Sequence, residues 1–188
     1  MAMNILTPIG VLSFPVLFTP RPPAPNAEPR FQINLLFDKK AQASTAYADL
    51  KRGVLKVIDD KWGQGKSQDK AFIGKLRLPF RPTAEKDYKG YDIEGGIFIM
   101  AWSKNKPGVV DAQRTEIVVP GDIWPGQLVR ATVSPFAYQN TGNLGVSFGL
   151  NNVQVCRTDG ERLDGRKAAT EDFPDYEDEN ATDDQMPF

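Results

Sequence analysis

At 188 residues, 40% hydrophobic and 25% charged, the chain is long enough for one domain with a sizeable core plus appendages. It has no histidine and a single cysteine, Cys156, which removes the commonest general base and metal ligand and excludes a structural zinc site or an intrachain disulfide. The formal net charge of -1 hides a segregation: residues 171–188 hold eight acids and no base, leaving 16 acids against 23 bases in residues 1–170, a body of about +7.

Ile5 to Phe18 is apolar, but Pro8, Pro15 and the lack of a basic leader or small-residue cleavage site argue for a strand rather than a signal peptide. No run approaches the roughly 20 apolar residues of a membrane span. Gly10–Phe18 reads as the first strand, followed by "TPRPPAPNAEPR" (19–30), an extended connector whose prolines deny regular pairing. In "RFQINLLFD" (30–38), Phe31, Ile33, Leu35 and Phe37 share one face, as a half-buried strand requires. The period then changes: Tyr47, Leu50, Val54, Val57 and Ile58 have helical spacing within Ser44–Lys61, with Ser44 or Thr45 as N-cap and Gly63 and Gly65 as the stop.

Everything after that reads as strand and turn. "KLRLPFR" (75–81) places Leu76, Leu78 and Phe80 opposite Lys75, Arg77 and Arg81. "GIFIMAWSK" (96–104), a short "TEIVV" (115–119), "QLVRATVSPFAY" (127–138, interrupted at Pro135) and "NLGVSFGLNNVQVC" (143–156) complete the series, with Asn151 and Asn152 suited to a bulge or turn. Beyond Arg157 the chain is charged and glycine-rich and is expected to leave the domain. The expected fold is all-β: an OB-fold, a five-stranded, partly open barrel with extra strands and one helix, occupying residues 1–160, with a flexible, disordered acidic tail over 161–188. A β-sandwich with one helix satisfies the same periodicity.

The alternation also locates a candidate surface. If Val129, Ala131, Val133 and Ala137 face the core, Arg130, Thr132, Phe136 and Tyr138 face outward; if Ile97, Ile99 and Ala101 face in, Phe98, Met100, Trp102 and Lys104 face out. Large aromatics among cations on an outer sheet face call for a cover, either the chain's own helix or proline-rich loop, which Phe98 suits, or nucleobases. Residues 61–90 add eight bases against three acids with Trp62, Phe72, Phe80 and Tyr88 interleaved, the composition of a groove that follows a phosphate backbone. The candidate DNA-binding residues are therefore Lys75, Arg77, Arg81, Trp102, Lys104, Lys106, Arg130, Phe136 and Tyr138. No phosphate loop, metal cluster, cofactor motif or catalytic constellation stands out, so the expectation is a non-enzymatic protein without cofactor or metal.

"PGQLVRATVSPFAYQNTGNLGVSFGLNNVQVCRTDGERLDGR" (125–166), with "GNLGVSFGLNNVQ" as its most specific part, resembles the phage single-stranded DNA-binding proteins of the Enc34 type. Gly10–Phe37 and the following helix look similar too. The resemblance implies an OB-fold protein, distantly similar to the phage T7 single-stranded DNA-binding protein, that coats single strands during phage replication or recombination in the cytoplasm of the infected bacterium. The last six residues, "DDQMPF", resemble the bacterial single-stranded DNA-binding protein tail through Asp183, Asp184, Pro187 and Phe188, while Gln185 and Met186 depart from it. That resemblance implies docking of phage or host replication and repair proteins; a homo-oligomer is also open. A phage structural β-barrel, a decoration or tail component, is the competing expectation; it accounts for the strands but not for the +7 body and acidic tail.

Overall fold

The computed structural model describes residues 3–167 and 169–173. Eight strands form one sheet: β1 (Ile5–Leu6), β2 (Gly10–Arg21), β3 (Arg30–Phe37), β4 (Arg81–Pro82), β5 (Ile97–Ser103), β6 (Gly108–Val110), β7 (Leu128–Asn140) and β8 (Asn143–Arg157). Five of them close on themselves in the order β2-β3-β5-β8-β7 and back to β2, with β5 and β8 parallel and the other pairings antiparallel. The result is an OB-like barrel, uneven because its two closing seams are short. β2 meets β7 only at Gly10↔Val129 and Val11↔Leu128, and β5 meets β8 only at Ala101↔Phe148 and Trp102↔Gly149. β1, β4 and β6 are the additional strands, on the margins of β7, β5 and β8.

The inner faces carry the core. Ile33 and Leu35 of β3, Ile99 and Ala101 of β5, Val129, Ala131 and Val133 of β7 and Phe148 of β8 are all buried, following the period of two. One end of the barrel is filled by α2 (Thr45–Trp62), which follows a single-turn α1 (Lys39–Gln42). Ser44 caps α2 by accepting from the Tyr47 amide, and Gly63, at φ 111°, ends it. Tyr47, Leu50, Val54 and Ile58 form its buried stripe, and burial pushes the Tyr47 phenol up to about 12. Two further single turns, α3 (Lys70–Ile73) and α4 (Ala169–Asp172), lie in the connection after α2 and near the C-terminus.

Several expectations change. The first strand continues through Pro20 to Arg21, so the proline-rich connector is shorter than it reads. Residues 75–81 alternate like a strand but do not form one: Pro79 breaks the run, Leu78 is exposed rather than buried, and only Arg77 bridges to Gly145, before the short β4. β7 runs unbroken through Pro135, because there the strand pairs with β8 on one side only and the missing N–H leaves no ladder bond unmade. "TEIVV" contributes one bridge, Val110↔Glu116, rather than a strand. The expected irregularity at Asn151 is present as a bulge: the β7–β8 register shifts between Thr132↔Asn152 and Val133↔Leu150.

Past Arg157 the chain does not leave at once. Residues 158–163 strap back across the barrel, where the Leu163 amide donates to the Pro125 carbonyl at 2.9 Å. The approach is close enough that a methyl group on Gly126, whose φ is 111°, would stand 1.9 Å from the Glu161 carbonyl oxygen.

Candidate nucleic-acid interface

The outer face of β2, β3, β5, β8 and β7 is organised in cross-strand rows. Val11, Leu36, Phe98 and Arg81 stand opposite one another at one end. The middle row is Ser13, Asn34 and Met100; the next is Val16, Gln32, Trp102, Gly149 and Ser134. The first row is sealed. Phe98 is 0% exposed beneath Tyr91, ring centroids 5.5 Å apart, in a small second core with Leu36, and the Arg81 guanidinium lies 5.2 Å from its centroid. Phe98 thus faces outward as its position requires, but its cover is the segment 81–93, not the helix or the proline-rich loop.

The other rows floor an open groove in two stretches that share Met100. One, of about 620 Å3, runs between Met100, Ser147 and Tyr138 and the wall Arg77–Arg81 with Glu85. The other, of about 410 Å3, runs from Met100 past Gln32 and Asn34 to Phe14, Tyr88, Lys86 and Arg21, with Pro22 and Pro23 at its edge. Beside Met100, Trp102 meets Phe136 edge to face, 5.7 Å between centroids at 80°, and its indole N–H donates to Ser147 Oγ at 3.3 Å. The Arg30 guanidinium lies 4.9 Å from the Trp102 ring centroid, held by Gln32 Oε1 at 3.2 Å and Met100 Sδ at 3.5 Å. Burial lowers the Arg30 pKa from its usual value, but a guanidinium remains charged, so the cation persists at this ring.

Among the described residues, the two stretches bring Arg21, Arg77, Arg81 and Lys86 to one surface against a single lining acid, Glu85, which is spoken for by Arg81. Arg77 is held by its backbone: its amide donates to the Leu144 carbonyl and its carbonyl accepts from Val146, at 2.9 and 3.0 Å, leaving the exposed side chain free of any acid partner among the described residues. Gly145 permits this, since a methyl group there would stand 2.5 Å from Tyr138 Oη and 2.6 Å from the Arg77 carbonyl oxygen. Replacing Arg77 by Gln is expected to weaken single-strand binding several-fold and to reduce the slope of log K against log salt by about 0.7, the share of one phosphate. A salt titration of the variant reads both.

The structure therefore places Tyr138, Arg77 and Arg81 on the groove lining, and Trp102, with Phe136 against it, behind that lining on Ser147. Lys75 is exposed just ahead of Arg77 and lines neither stretch. Lys104 is in the turn after β5, ion-paired with Glu28, whose carboxyl it holds below the usual carboxylate range by a hydrogen bond. Lys106 lies over Phe18, its Nζ 5.8 Å from the ring centroid. Arg130 is not brought to the others: it stands six residues from Phe136, about 20 Å along β7, and donates to Gln154 Oε1 at 2.9 Å beside β6. Asp183, Asp184, Pro187 and Phe188 lie outside the described residues.

Three groove residues had no place in the sequence reading. Arg30 was legible in principle, because it shares with Gln32 and Asn34 the polar face of an alternating strand. Arg21 falls in the proline-rich stretch that reads as a connector. Phe14 carried no signal: it sits at φ 45°, where β2 slips register between Ser13 and Val16, a conformation that costs a non-glycine residue about 1–3 kcal/mol. Its ring meets Tyr88 edge to face at 5.3 Å, and the two side chains are 46% and 55% exposed.

A family model described as the Enterobacter phage Enc34 ssDNA-binding protein matches residues 3–186. The chain belongs to this family. The single-stranded DNA-binding protein of bacteriophage Enc34, solved in complex with ssDNA, superposes with a TM-score of 0.68 at 20% identity, over 85% of this chain and 89% of that one. Another structure of the Enc34 protein gives 0.65 at 21% identity, over 90% and 88%. The crystal structure of gp2.5, a single-stranded DNA-binding protein encoded by bacteriophage T7, gives 0.57 at 16% identity, over 95% and 97%. No curated protein matches by sequence. The family model thus spans nearly the whole chain.

Proposed function

We propose that this protein binds and protects single-stranded DNA during phage DNA replication or recombination, in the cytoplasm of the infected host, without marked sequence specificity and without catalysis. The observation that carries this reading is the groove itself, lined by Phe14, Tyr88, Tyr138, Arg21, Arg77, Arg81 and Lys86, with Arg30 and the Trp102–Phe136 pair beside it. Aromatics accept any base by its π-face, and the cations release counterions from the backbone. Its position supports the reading too: β3 and β5 are the second and third strands of the ring, the face on which OB-folds take oligonucleotides, and the flanking loops are the proline-rich connector and the β7–β8 hairpin. The family membership and the solved relatives support it independently. Labelled oligo-dT titrated with the protein is expected to show saturable binding in low salt; no binding there overturns the proposal.

The acidic segment 171–188 acts in two ways in this account. Its carboxylates compete with DNA for the basic groove, and Phe188 with Pro187 and the acids at 183 and 184 recruits replication or repair proteins. A chain ending at residue 170 is expected to bind oligo-dT more tightly than the full chain, most visibly in low salt. Unchanged or weaker binding would remove the competing role.

A further inference from the structure

We infer that the groove is not blind to bases along its whole length: between Phe14 and Tyr88 it takes one base bearing an exocyclic amino group, which donates to the carboxamide oxygen of Asn34. The inference rests on the single-strand reading above. Phe14 occupies a backbone conformation that disfavours it, yet nearly half of its side chain is exposed, so core packing alone does not account for the strain. What the strained bulge achieves is to hold one ring edge-on to another exposed ring, Tyr88, at the mouth of the pocket.

The floor of that pocket holds an unmet acceptor. Asn34 is 4% exposed; its amide nitrogen donates to Tyr91 Oη at 2.8 Å, and its Oδ1 is buried without a partner among the described residues. Buried polar atoms of this kind are rare because they forfeit their hydrogen bond to water, and each one calls for a reason. Arg21 and Lys86 line the same pocket and suit the phosphates on either side of a bound base. Seating a base edge on Oδ1 requires the pocket side chains to part, and the two exposed rings have solvent to move into.

The bases differ in what they offer such an acceptor. Cytosine, adenine and guanine carry an amino group projecting from the ring, whereas thymine has none and presents a carbonyl where cytosine has its amino group. The imino N–H of thymine is recessed between two carbonyl oxygens, which would approach Oδ1 with partial charge of the same sign. The pocket therefore favours an amino-bearing base over thymine at one position in each footprint.

The test compares oligonucleotides of one length containing deoxycytidine, thymidine, or the pyrimidin-2-one analogue that lacks only the 4-amino group, by fluorescence anisotropy with the full chain at one salt concentration. The deoxycytidine strand is expected to bind roughly 2- to 10-fold more tightly than either of the others, the range of one neutral hydrogen bond. Asn34→Leu is expected to erase that difference, and its thermal unfolding is recorded alongside because leucine also removes a partner of Tyr91. The analogue asks the same question with the protein unaltered. Equal affinity for the deoxycytidine and pyrimidin-2-one strands, or a preference for thymidine, overturns the inference. Failure of all three strands to bind overturns instead the single-strand reading on which it rests.

Discussion

Trp102→Ala is expected to weaken oligo-dT binding by about 1–3 kcal/mol, a factor of roughly 5 to 150, while the protein stays folded. The ring lies beside the groove, hydrogen-bonded to the lining residue Ser147, edge-on to Phe136 and under the Arg30 guanidinium. A base stacking there replaces or extends the contact that Arg30 makes in the free protein. Because the indole is partly exposed and lies outside the main core, its loss should cost less stability than that of a wholly buried aromatic. Anisotropy titration read beside thermal unfolding separates the two effects. A variant that binds as tightly as the parent would take Trp102 out of the interface.

Phe98→Ala should behave in the opposite way, costing about 3–5 kcal/mol of folding stability. Phe98 is wholly buried with Leu36 and Tyr91, and Arg81 and Lys86 lie over its ring. That second core pins the segment 81–93, which carries the Arg81, Lys86 and Tyr88 side chains to the groove wall. The variant is therefore expected to lose binding only as it loses the segment's order, whereas Phe98→Leu, which keeps most of the volume, should largely retain both. Denaturant unfolding of the two variants measures the difference. A stable Phe98→Ala protein with impaired binding would instead make Phe98 a contact.

Contrasting fates for two aromatics on the same face of β5 show what the sequence could and could not reveal. Period-two alternation was enough to orient β3, β5, β7 and β8, and a serine cap with a glycine stop was enough to bound α2, because each is a local pattern. It placed Trp102, Phe136 and Tyr138 outward, and the structure collects them. It could not say which outward residue another part of the chain covers: Phe98 is sealed by Tyr91, whereas Trp102, four residues further along β5, is partly exposed.

The closures were likewise out of reach. The parallel β5–β8 seam joins Ala101 to Phe148, and nothing in either strand announces its partner. Residues 75–81 misled because alternation survives there with only a lone bridge at Arg77 and the start of β4 at Arg81, while Phe14 and Tyr88 are joined across 74 positions by a bulge that no residue pattern marks. Arg130 shows the limit from the other side: it shares the outward face of β7 with Phe136, but the length of the strand carries it out of the groove.

The central claim is that the basic, aromatic groove binds single strands by stacking and counterion release. It is tested most directly by titrating salt against binding to oligo-dT and to a duplex of the same length. The account predicts a linear fall of log K with log salt for the single strand, with a slope approaching about -3.5 if Arg21, Arg30, Arg77, Arg81 and Lys86 each neutralise one phosphate. It also predicts much weaker binding of the duplex, whose stacked bases cannot reach the rings. Equal affinity for the two nucleic acids, or single-strand binding indifferent to salt, would contradict it.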